Sequence, residues 1–504
     1  MNTGTKRVPY ISKSTYLCGL QCPKLLWSLY HAKNLFPKID EATQSVFQQA
    51  LSVGNLAKRM FPNGIEIQSP PSDFNGAVQL TKAALLQRRP IFEATAAANG
   101  GYARADILNP VGEDEWDILE VKSTTRPKAI HIPDIAFQRW VFESAGFKIR
   151  RCFICHVNRE FVGEGEFAPR QFFTFHDATD EVAAMMNEIG EKVRRMAAVV
   201  ALAECPPIMI GKHCGSPFLC PLRDHCWAFL PPRNVTELFS DTKGRGFDLL
   251  SRGVLRLADI PEDYQLNSRQ GIQRATAISG VPHVNQTQIQ RFLDQLKYPL
   301  HFLDFESFQS AVPFFYGTRP YEQIPFQFSL HLLRSEGAEP EHRKFLAYER
   351  IDPRLDFIQS LERAIEPTGS IVTFNAAFEK GRLMELAERF PQYEMWVESV
   401  VNRMVDLMIP FRGFSYYHPD QRGRVSIKSV LLVLTGKDYK SLEIQKGDTA
   451  GWEFLRVTFF TDVSQEERHR VRRALDLYCG QDTEGMVWIL EALRNYERDI
   501  TLQN

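Results

Sequence analysis

The chain has 504 residues and a formal net charge of −1; 44% of its residues are hydrophobic and 24% are charged. These values predict two to four domains with full hydrophobic cores, and they exclude a strongly basic nucleic-acid-binding tail. No apolar run approaches the roughly 20 residues that span a membrane, and the N-terminal MNTGTKRVPYISKSTY lacks the apolar core of a secretory signal. We therefore expect a cytoplasmic protein without a membrane partner, in which nine cysteines do not form a disulfide framework.

Predicted elements of the first half alternate between helices and strands. Apolar spacing predicts helices within residues 1–65. Residues 91–125 contain three predicted strands, PIFEAT, YARADIL and DILEVKS, and the turn-rich NPVGEDE makes the last two a hairpin. DIAFQRWVFESAG is a predicted helix that ends at Gly146, RRCFICHV is a strand, and residues 181–204 form a helix. A cysteine-rich segment then extends to about residue 227.

The second half begins at a predicted boundary, FLPPRNV. Residues 236–295 show short helical patterns and turns, which is typical of a connector. A second series of strands and helices begins at Tyr298 and extends to the C-terminus. The sequence thus predicts two separate strand–helix domains of the α/β (α+β) class.

One set of candidate site residues lies on the predicted hairpin of the first half. Glu120 and Lys122 are two residues apart on one strand and therefore share a face, and Asp106 lies on the preceding strand. Two carboxylates can hold Mg²⁺ or Mn²⁺, which lowers the pKa of a bound water, while an ammonium group stabilises charge on a phosphate. Glu93, in PIFEAT, is a weaker candidate for a further carboxylate. The alternative is that these are ordinary solvated hairpin residues.

This pattern resembles the RecB-like branch of the PD-(D/E)XK nuclease superfamily. Its order of Asp, then Glu-x-Lys, then a helix with Gln-x-x-x-Tyr is matched by Asp106, Glu120, Lys122 and Gln138. Phe142 stands where the family has tyrosine, and no histidine lies in the early SVGNLAKRMF, where that branch often has a metal ligand. The resemblance implies a metal-dependent nuclease core in which Lys122 and Gln138 are catalytic and the two acids bind the metal.

Cysteines bracket this predicted core. Cys214, Cys220 and Cys226 follow one another at six-residue steps, and Cys22 lies far upstream in CGLQCPKLLW. Four thiolates can hold a [4Fe–4S] cluster or zinc, but the C-x₂₋₄-C pairs common at zinc sites are absent from this set. The arrangement resembles CRISPR-associated and RecB-type nucleases that carry a [4Fe–4S] cluster. Zinc and buried free thiols are the alternatives, Cys18 is an alternative first ligand, and Cys152 and Cys155 are predicted core residues.

The second half contains another acidic pattern. In FLDFES, Asp304 and Glu306 point to the same face of a predicted strand, where two like charges are unfavourable without cations between them. VTFNAAFEKGRL is a predicted strand that ends at Asn375, followed by a helix with Glu379. LDLYCGQDTEGMVWIL is a helix with Tyr478 and Asp482 on one face. Converging carboxylates of this kind can hold two metals beside a scissile phosphate.

The order DFE, NAAFE and YxxxD resembles the DEDD exonucleases of the tyrosine subtype, which have an RNase H-like fold. Asp304, Glu306, Glu379 and Asp482 then correspond to the metal-binding acids, and Tyr478 to the catalytic tyrosine that orients water. Glu379 replaces the family's aspartate. We rank Asp406 behind these four acids. Lys428, Lys437 and Lys440 are candidates to contact phosphates, with the alternative that they are solvated, as scattered lysines usually are.

The whole arrangement resembles a bacterial family of fused nucleases. We predict a RecB-like PD-(D/E)XK domain with an iron–sulfur site at residues 1–232, a helical connector at 233–296, and an RNase H-like mixed-sheet DEDD domain at 297–504. The resemblance implies a nuclease that uses Mg²⁺ or Mn²⁺ at both centres and acts on DNA, single-stranded or with free ends, with RNA as an open alternative. DNA repair, recombination and phage defence are the settings this analogy suggests. A single active centre beside a nucleic-acid-binding half, or a scaffold without activity, are the alternatives.

Overall fold

The computed structural model describes residues 10–70 and 72–501, with side chains described as far as residue 496. Its residues group into two compact units, Met1–Phe229 with Ser310–Glu322 (unit 1), and Leu230–Gln309 with Gln323–Asn504 (unit 2). The predicted connector is thus grouped with unit 2, while residues 310–322 of the predicted second domain are grouped with unit 1. The predicted domain boundaries themselves stay predictions.

Unit 1 is a mixed α/β structure built around one sheet. Its helices are α1 (Lys13–Gln21), α2 (Pro23–His31), α3 (Glu41–Lys58), α4 (Phe74–Leu85), α5 (His131–Ser144), α6 (Thr179–Val200) and α7 (Arg223–Trp227). Its strands are β1 (Ile11–Ser12), β2 (Ile65–Glu66), β3 (Ile91–Ala98), β4 (Gly101–Val111), β5 (Glu115–Lys122), β6 (Lys148–Val157) and β7 (Phe173–Asp177). The predicted strands of residues 91–125 and the predicted helix over 181–204 are confirmed within a few residues.

The sheet of unit 1 combines seven of the described strands in the order β2-β3-β4-β5-β6-β7, with β1 also pairing with β4. β3, β4 and β5 are antiparallel neighbours, and β5 pairs with β6 in parallel. The strands nearest the centre read as apolar runs because helices cover them, and α5 packs its buried face on this sheet. The sheet therefore holds β4 and β5, which carry the candidate acids, side by side.

Unit 2 contains a second mixed sheet and the longest of the described helices, α17. Its strands are β8 (His283–Val284), β9 (Leu300–Phe308), β10 (Ile324–Leu333), β11 (Glu341–Leu346), β12 (Ile371–Thr373), β13 (Met404–Asp406) and β14 (Tyr416–Tyr417). Its helices are α8 (Arg245–Ser251), α9 (Ser268–Ser279), α10 (Gln286–Leu293), α11 (Arg354–Ala364), α12 (Ala377–Arg389), α13 (Glu394–Asn402), α14 (Ile409–Arg412), α15 (Ile427–Thr435), α16 (Gly447–Phe459) and α17 (Gln465–Thr501).

Five of the described strands of unit 2 form the sheet β11-β10-β9-β12-β13. β9 pairs antiparallel with β10 and parallel with β12, so β9 lies at the centre. Every residue of β10 is buried, and the apolar side chains of β9 and β10 pack on α11 and on the helices that follow β12. A central strand has neighbours on both sides, which gives the acids of β9 a rigid support.

The predicted strand of VTFNAAF is shorter than expected. β12 ends at Thr373 rather than at Asn375. Asn375 has a left-handed backbone (φ 77°), which breaks the strand, and asparagine tolerates this conformation better than most residues. Its N–H donates to Asp406 Oδ1 at 2.9 Å, so the turn is held against the end of β13. Of the helices in the described ranges, none combines the length and apolarity needed to cross a membrane.

Candidate metal centres

Three carboxylates of unit 2 converge at the centre of its sheet. Asp304 and Glu306 alternate with buried apolar residues along β9 and therefore face the same side. The long helix α17 crosses that side and supplies Asp482. One carboxylate oxygen from each of the three residues lies within 4.8 Å of the others. We call these residues, together with the nearby Glu379, the unit 2 acid cluster.

The environment of this cluster disfavours negative charge. Glu306 and Asp482 are buried and Asp304 is half-buried. Burial and then the neighbouring acids raise the pKa of Asp304 and Glu306 well above their ordinary values, while burial raises the pKa of Asp482 to about 6. In the described part of the chain, neither Asp304 nor Glu306 forms an ion pair with lysine or arginine. Bound cations would offset this repulsion, and oxygen ligands of this kind suit Mg²⁺ or Mn²⁺.

Glu379 is the fourth acid of the cluster. It lies in the first turn of α12 directly after the bend at Asn375, and it is buried. Its charge acts on both Asp304 and Glu306. Burial, with Asp406 also contributing, raises the pKa of Glu379 to about 8, and its Oε2 has no hydrogen-bond partner among the described residues. A buried acceptor without a partner is costly, and a metal ion would satisfy it.

Tyr478 lies one helical turn before Asp482 on α17, as the spacing predicts. Burial and the charge of Asp482 raise its pKa above the ordinary value. Lys428, at the start of α15, has its ammonium group 5.1 Å from the ring centres of both Tyr478 and Tyr439. Its Nζ also donates to the Tyr478 hydroxyl at 3.4 Å. Lys428, which the sequence only grouped with scattered lysines, therefore borders the cluster.

Tyr439 was not predicted. Its hydroxyl donates to Asp482 Oδ1 at 2.6 Å, which favours the ionised form of that acid. The residue lies in a loop 43 positions before Asp482, and neither spacing nor a motif connects the two. Asp406, which the sequence analysis ranked behind the four cluster acids, accepts hydrogen bonds from the N–H groups of Asn375 and Met408. It thus orders the backbone that precedes Glu379.

Unit 1 brings its own predicted acids together. The register pairs Ile107 with Leu119, so that Asp106 on β4 lies opposite Glu120 on β5. Asp106 Oδ2 accepts the N–H of Val121 at 2.7 Å, and Lys122 Nζ donates to Glu120 Oε1 at 2.7 Å. Glu120 is almost fully buried, so the alternative of solvated hairpin residues is wrong for this residue. We call Asp106, Glu120 and Lys122 with their polar neighbours the unit 1 cluster.

Gln138 reaches this cluster from α5. Its Nε2 donates to Glu120 Oε2 at 2.7 Å and to Asp134 Oδ1 at 3.2 Å. Phe142, one turn further, is fully buried and packs edge-on against Phe147, with ring centres 4.9 Å apart. A tyrosine hydroxyl at this position would have no place in the apolar core, which accounts for the phenylalanine.

Two members of the unit 1 cluster were missed by the sequence reasoning. Asp134, four residues before Gln138 on α5, accepts from Lys122 Nζ at 2.6 Å. Helical spacing was a signal that could have identified it. Lys13, at the start of α1, donates to Glu120 Oε1 at 2.8 Å. Its separation of 107 residues left no such signal.

Charge compensation separates the unit 1 cluster from that of unit 2. Burial and then the charge of Glu120 raise the pKa of Asp106 to about 7. Burial opposes ionisation of Glu120, but the ammonium groups of Lys122 and Lys13 outweigh it and hold the pKa of Glu120 below its ordinary value. Glu93 is not part of the hydrogen-bond network of Glu120: its described ion pair is with Lys58, at 3.4 Å. Its weak candidacy as a further ligand is therefore not supported by a contact.

The four predicted cysteines line one small cleft of unit 1. Cys22 is the N-cap residue directly before α2, and the remaining three lie in the loops and short helices that follow α6. The cleft is lined by Cys22, Cys214, Cys220 and Cys226, by apolar side chains, and by the basic residues Lys24, His213 and Arg223. Burial raises the pKa of the Cys22 thiol, while the N–H groups of Leu25 and Lys24 act in the opposite direction and favour its thiolate. Cys18 packs in the same apolar cluster but does not line the cleft.

The spacing of the sulfur atoms bears on what these thiols can hold. In the described ranges, no three cysteine sulfurs lie within 4.8 Å of one another, although three acids of unit 2 meet that distance. Zinc, bound at about 2.3 Å from each of four sulfurs, would hold neighbouring sulfurs about 3.8 Å apart. A four-iron cluster is larger and holds its thiolates farther apart. Cys152 and Cys155 are fully buried in β6, as predicted for core residues.

Comparisons with known proteins cover part of the chain. Residues 301–426 match the family model described as "Domain of unknown function (DUF2779)", which includes Asp304, Glu306 and Glu379 but ends before Tyr478. The Uncharacterized protein MG366 of Mycoplasma genitalium is 27% identical over 217 residues, which cover 39% of this chain and 32% of the relative. Its homolog in Mycoplasma pneumoniae is 26% identical over 280 residues, or 51% of this chain and 41% of the relative.

The matched segments thus span less than half the length of either relative. The chain carries a DUF2779 domain over residues 301–426 and is distantly related to these mycoplasma proteins.

Proposed function

We propose that this protein is a metal-dependent nuclease that hydrolyses DNA phosphodiester bonds at two centres. Unit 2 is then a 3′–5′ exonuclease with an RNase H-like fold, and unit 1 a RecB-like PD-(D/E)XK nuclease. The observation that carries the proposal is the unit 2 acid cluster, in which Asp304, Glu306 and Asp482 bring carboxylate oxygens within 4.8 Å of one another. Among the described residues, no lysine or arginine forms an ion pair with any of these three acids, although Lys428 lies nearby. Metal binding is the most direct reason to retain such an unfavourable arrangement.

In unit 2, the four acids hold the cations. Two bound Mg²⁺ or Mn²⁺ ions would lower the pKa of a water and neutralise charge on the phosphate. The Tyr478 hydroxyl, one turn from Asp482, orients the attacking water, and Lys428 keeps that hydroxyl in place. The ammonium group of Lys428 is also close enough to the acids to attract a phosphate oxygen of the substrate.

In unit 1, Asp106 and Glu120 are the carboxylates that hold a cation. The same chemistry of Mg²⁺ or Mn²⁺ applies there. Lys122 contributes positive charge beside the scissile phosphate, and Gln138 fixes the orientation of Glu120 through its 2.7 Å hydrogen bond. The order of these residues on β4, β5 and α5 supports the assignment to the PD-(D/E)XK group.

The cysteine cleft completes the proposal for unit 1. Cys22, Cys214, Cys220 and Cys226 would hold a [4Fe–4S] cluster. No three cysteine sulfurs of the described residues lie within 4.8 Å of one another, as a tetrahedral zinc site would require, and this favours the cluster over zinc. The cluster has a structural role, because it connects the start of α2 to residues 214–226. Cys22 is far in sequence from the other three cysteines, so no local motif could make this connection.

The second candidate is a protein in which only one centre is active and the other half binds nucleic acid. Glu120 favours this reading for unit 1, because two lysines and Gln138 already engage its carboxylate. For unit 2, the same candidate is favoured by Glu379, which stands where the DEDD exonucleases have an aspartate. In either case the partner is DNA that is single-stranded or has free ends, and RNA remains an alternative substrate.

Product analysis separates the two candidates. Anaerobically purified protein is incubated with Mn²⁺ and single-stranded DNA labelled at either end, for wild type, Lys122→Ala, Asp304→Ala and the double mutant. We expect each single mutant to lose a different set of products and the double mutant to lose all of them. A Glu388→Gln variant, altered at an exposed acid of α12, is the control. Cleavage that survives in the double mutant would overturn the proposal, and full loss in one single mutant would favour the second candidate.

A further inference from the structure

Among the residues that the structure describes, Lys13 is the charged residue from outside the predicted motif whose side chain contacts Glu120. Its Nζ lies 2.8 Å from Glu120 Oε1, the same oxygen that accepts from Lys122 at 2.7 Å. Gln138 occupies Oε2. A carboxylate has about four lone-pair positions, so three donors leave Glu120 little room for a metal ion.

We propose that Lys13 is a built-in counter-ion of the unit 1 cluster, which a divalent cation has to displace before it binds through Glu120. The inference rests on the proposed function, in which Asp106 and Glu120 hold the metal. It implies that unit 1 needs more Mg²⁺ or Mn²⁺ than unit 2, where no lysine is bound directly to Asp304 or Glu306 among the described residues.

The geometry identifies Lys13 rather than Lys122 as the ammonium group that leaves. Lys122 is held by a second carboxylate, Asp134, at 2.6 Å, whereas the distance from Lys13 to Asp134 is 3.9 Å. The side chain of Lys13 is also somewhat more exposed, at 28% against 20%. Lys13 therefore loses fewer contacts when its side chain turns away.

The backbone around Lys13 is held in place, so that the movement of its ammonium group is a rotation of the side chain alone. Ser12 caps α1 through a reciprocal pair of hydrogen bonds with Thr15, which fixes the first turn of the helix. Ile11 and Ser12 are also paired with β4. The displaced ammonium group then stays near the site, where it can meet a substrate phosphate once the metal is bound.

The test measures metal binding rather than cleavage. Mn²⁺ binding to the full-length protein is followed by the loss of the electron paramagnetic resonance signal of free Mn²⁺, with Asp304→Asn and Asp482→Asn present to silence unit 2. In this background we compare three proteins: the one that retains Lys13, the Lys13→Met variant, which keeps the side-chain length without the charge, and the Lys13→Arg variant. Removing one ammonium group at hydrogen-bond distance should tighten Mn²⁺ binding about tenfold, and Lys13→Arg should not tighten it.

The matched control is Lys192→Met on α6 of the same unit. Lys192 has a similar exposure, 31%, and one carboxylate partner, Glu188, at 2.7 Å. This variant should leave Mn²⁺ affinity unchanged. Adding Asp106→Asn to Lys13→Met should abolish the tight binding, which assigns it to unit 1.

The outcomes separate this inference from the proposed function. Unchanged or weaker Mn²⁺ binding in Lys13→Met, with binding still lost in Asp106→Asn, overturns the counter-ion role and leaves the metal centre standing. A purely structural role predicts that pattern together with a lower melting temperature. If Mn²⁺ binding does not depend on Asp106 either in the protein that retains Lys13 or in the Lys13→Met variant, the metal centre of unit 1 is overturned. The proposed role of Lys13 is then overturned with it.

Discussion

The hydroxyl of Tyr439 donates a 2.6 Å hydrogen bond to Asp482 Oδ1, in the acid cluster of unit 2. Tyr439 is buried and its ring lies 6.3 Å from that of Tyr478, so two tyrosines border the same carboxylate. The first holds the acid, while the second is the residue to which we assign the positioning of water. Because these tasks differ, the two tyrosines should respond differently to the loss of a hydroxyl.

Tyr439→Phe should weaken Mn²⁺ binding at unit 2 about threefold to tenfold, since a hydrogen bond to an ionised group contributes roughly 1.5–3 kcal/mol, part of which the bound metal replaces. The Tyr478 hydroxyl also lowers the pKa of Asp482, but less than that of Tyr439 does, so Tyr478→Phe should weaken Mn²⁺ binding less and lower kcat instead. Mn²⁺ titration and 3′-end trimming, both in an Asp106→Asn background, measure the two effects. Equal effects of the two substitutions on metal affinity would contradict this division of roles.

Asp304→Asn should stabilise the metal-free protein. The pKa of Asp304 is raised by burial and by neighbouring acids, so its ionised form is less favourable in the folded than in the unfolded chain. This cost is absent at low pH and grows as pH rises above the ordinary pKa of an aspartate. At pH 8 in chelator, we expect a gain of about 1–2 kcal/mol and a melting temperature a few degrees higher.

The same variant should lose the stabilisation that Mn²⁺ gives to the wild type, because the ion no longer has its ligand. Calorimetry with and without Mn²⁺ measures both effects. The exposed Glu388→Gln should change neither by a comparable amount. A metal-free Asp304→Asn protein that melts below the wild type would argue against stored repulsion in the cluster.

His301 predicts a loss of stability in acid. It is fully buried at the start of β9, and its Nε2 accepts the N–H of Glu366 at 3.0 Å. Burial lowers its pKa to about 4, compared with about 6.5 in the unfolded chain. Between these values the unfolded state binds more protons, so stability is complete above pH 6.5 and falls as pH decreases towards 4.

The loss from His301 alone is about 2 kcal/mol between pH 7 and pH 5. His301→Asn should therefore make the unfolding free energy of unit 2 less dependent on pH in this range, measured by denaturant unfolding in chelator. His469→Asn, at an exposed histidine of α17, should keep the wild-type dependence. Parallel curves for the wild type and His301→Asn would rule out this histidine as a source of acid sensitivity.

The cysteine cleft predicts a coloured protein. Anaerobic purification should give a broad visible absorbance and about four iron and four sulfide per chain. Cys220→Ser should lose the colour and lower the melting temperature of unit 1, while Cys155→Ser, at a buried cysteine of β6, should keep the colour. A colourless wild-type protein with one zinc ion per chain would contradict the iron–sulfur cluster and show that the cysteines hold zinc instead.

Local patterns in the sequence identified most of the acids of both centres. Strand alternation placed Asp304 beside Glu306, and helical spacing placed Tyr478 beside Asp482, because these periods are properties of the backbone itself. The coarse α/β class and the strands around Glu120 followed from the same periods and are confirmed. The core positions of Cys152 and Cys155, predicted because free cysteines in a strand are commonly buried, are also confirmed. The early end of β12 could not be predicted in this way, because the left-handed backbone of Asn375 belongs to a single turn and leaves no periodic pattern in the sequence.

Which faces meet was decided only by tertiary packing. Lys13 reaches Glu120 across 107 residues and Tyr439 reaches Asp482 across 43, and no period connects such positions. The balance of charge at each centre depends on these contacts, because burial makes every charge act strongly on its neighbours. Two acidic patterns that look alike along the chain therefore become two different sites: one compensated by lysines in unit 1, and one left to cations in unit 2.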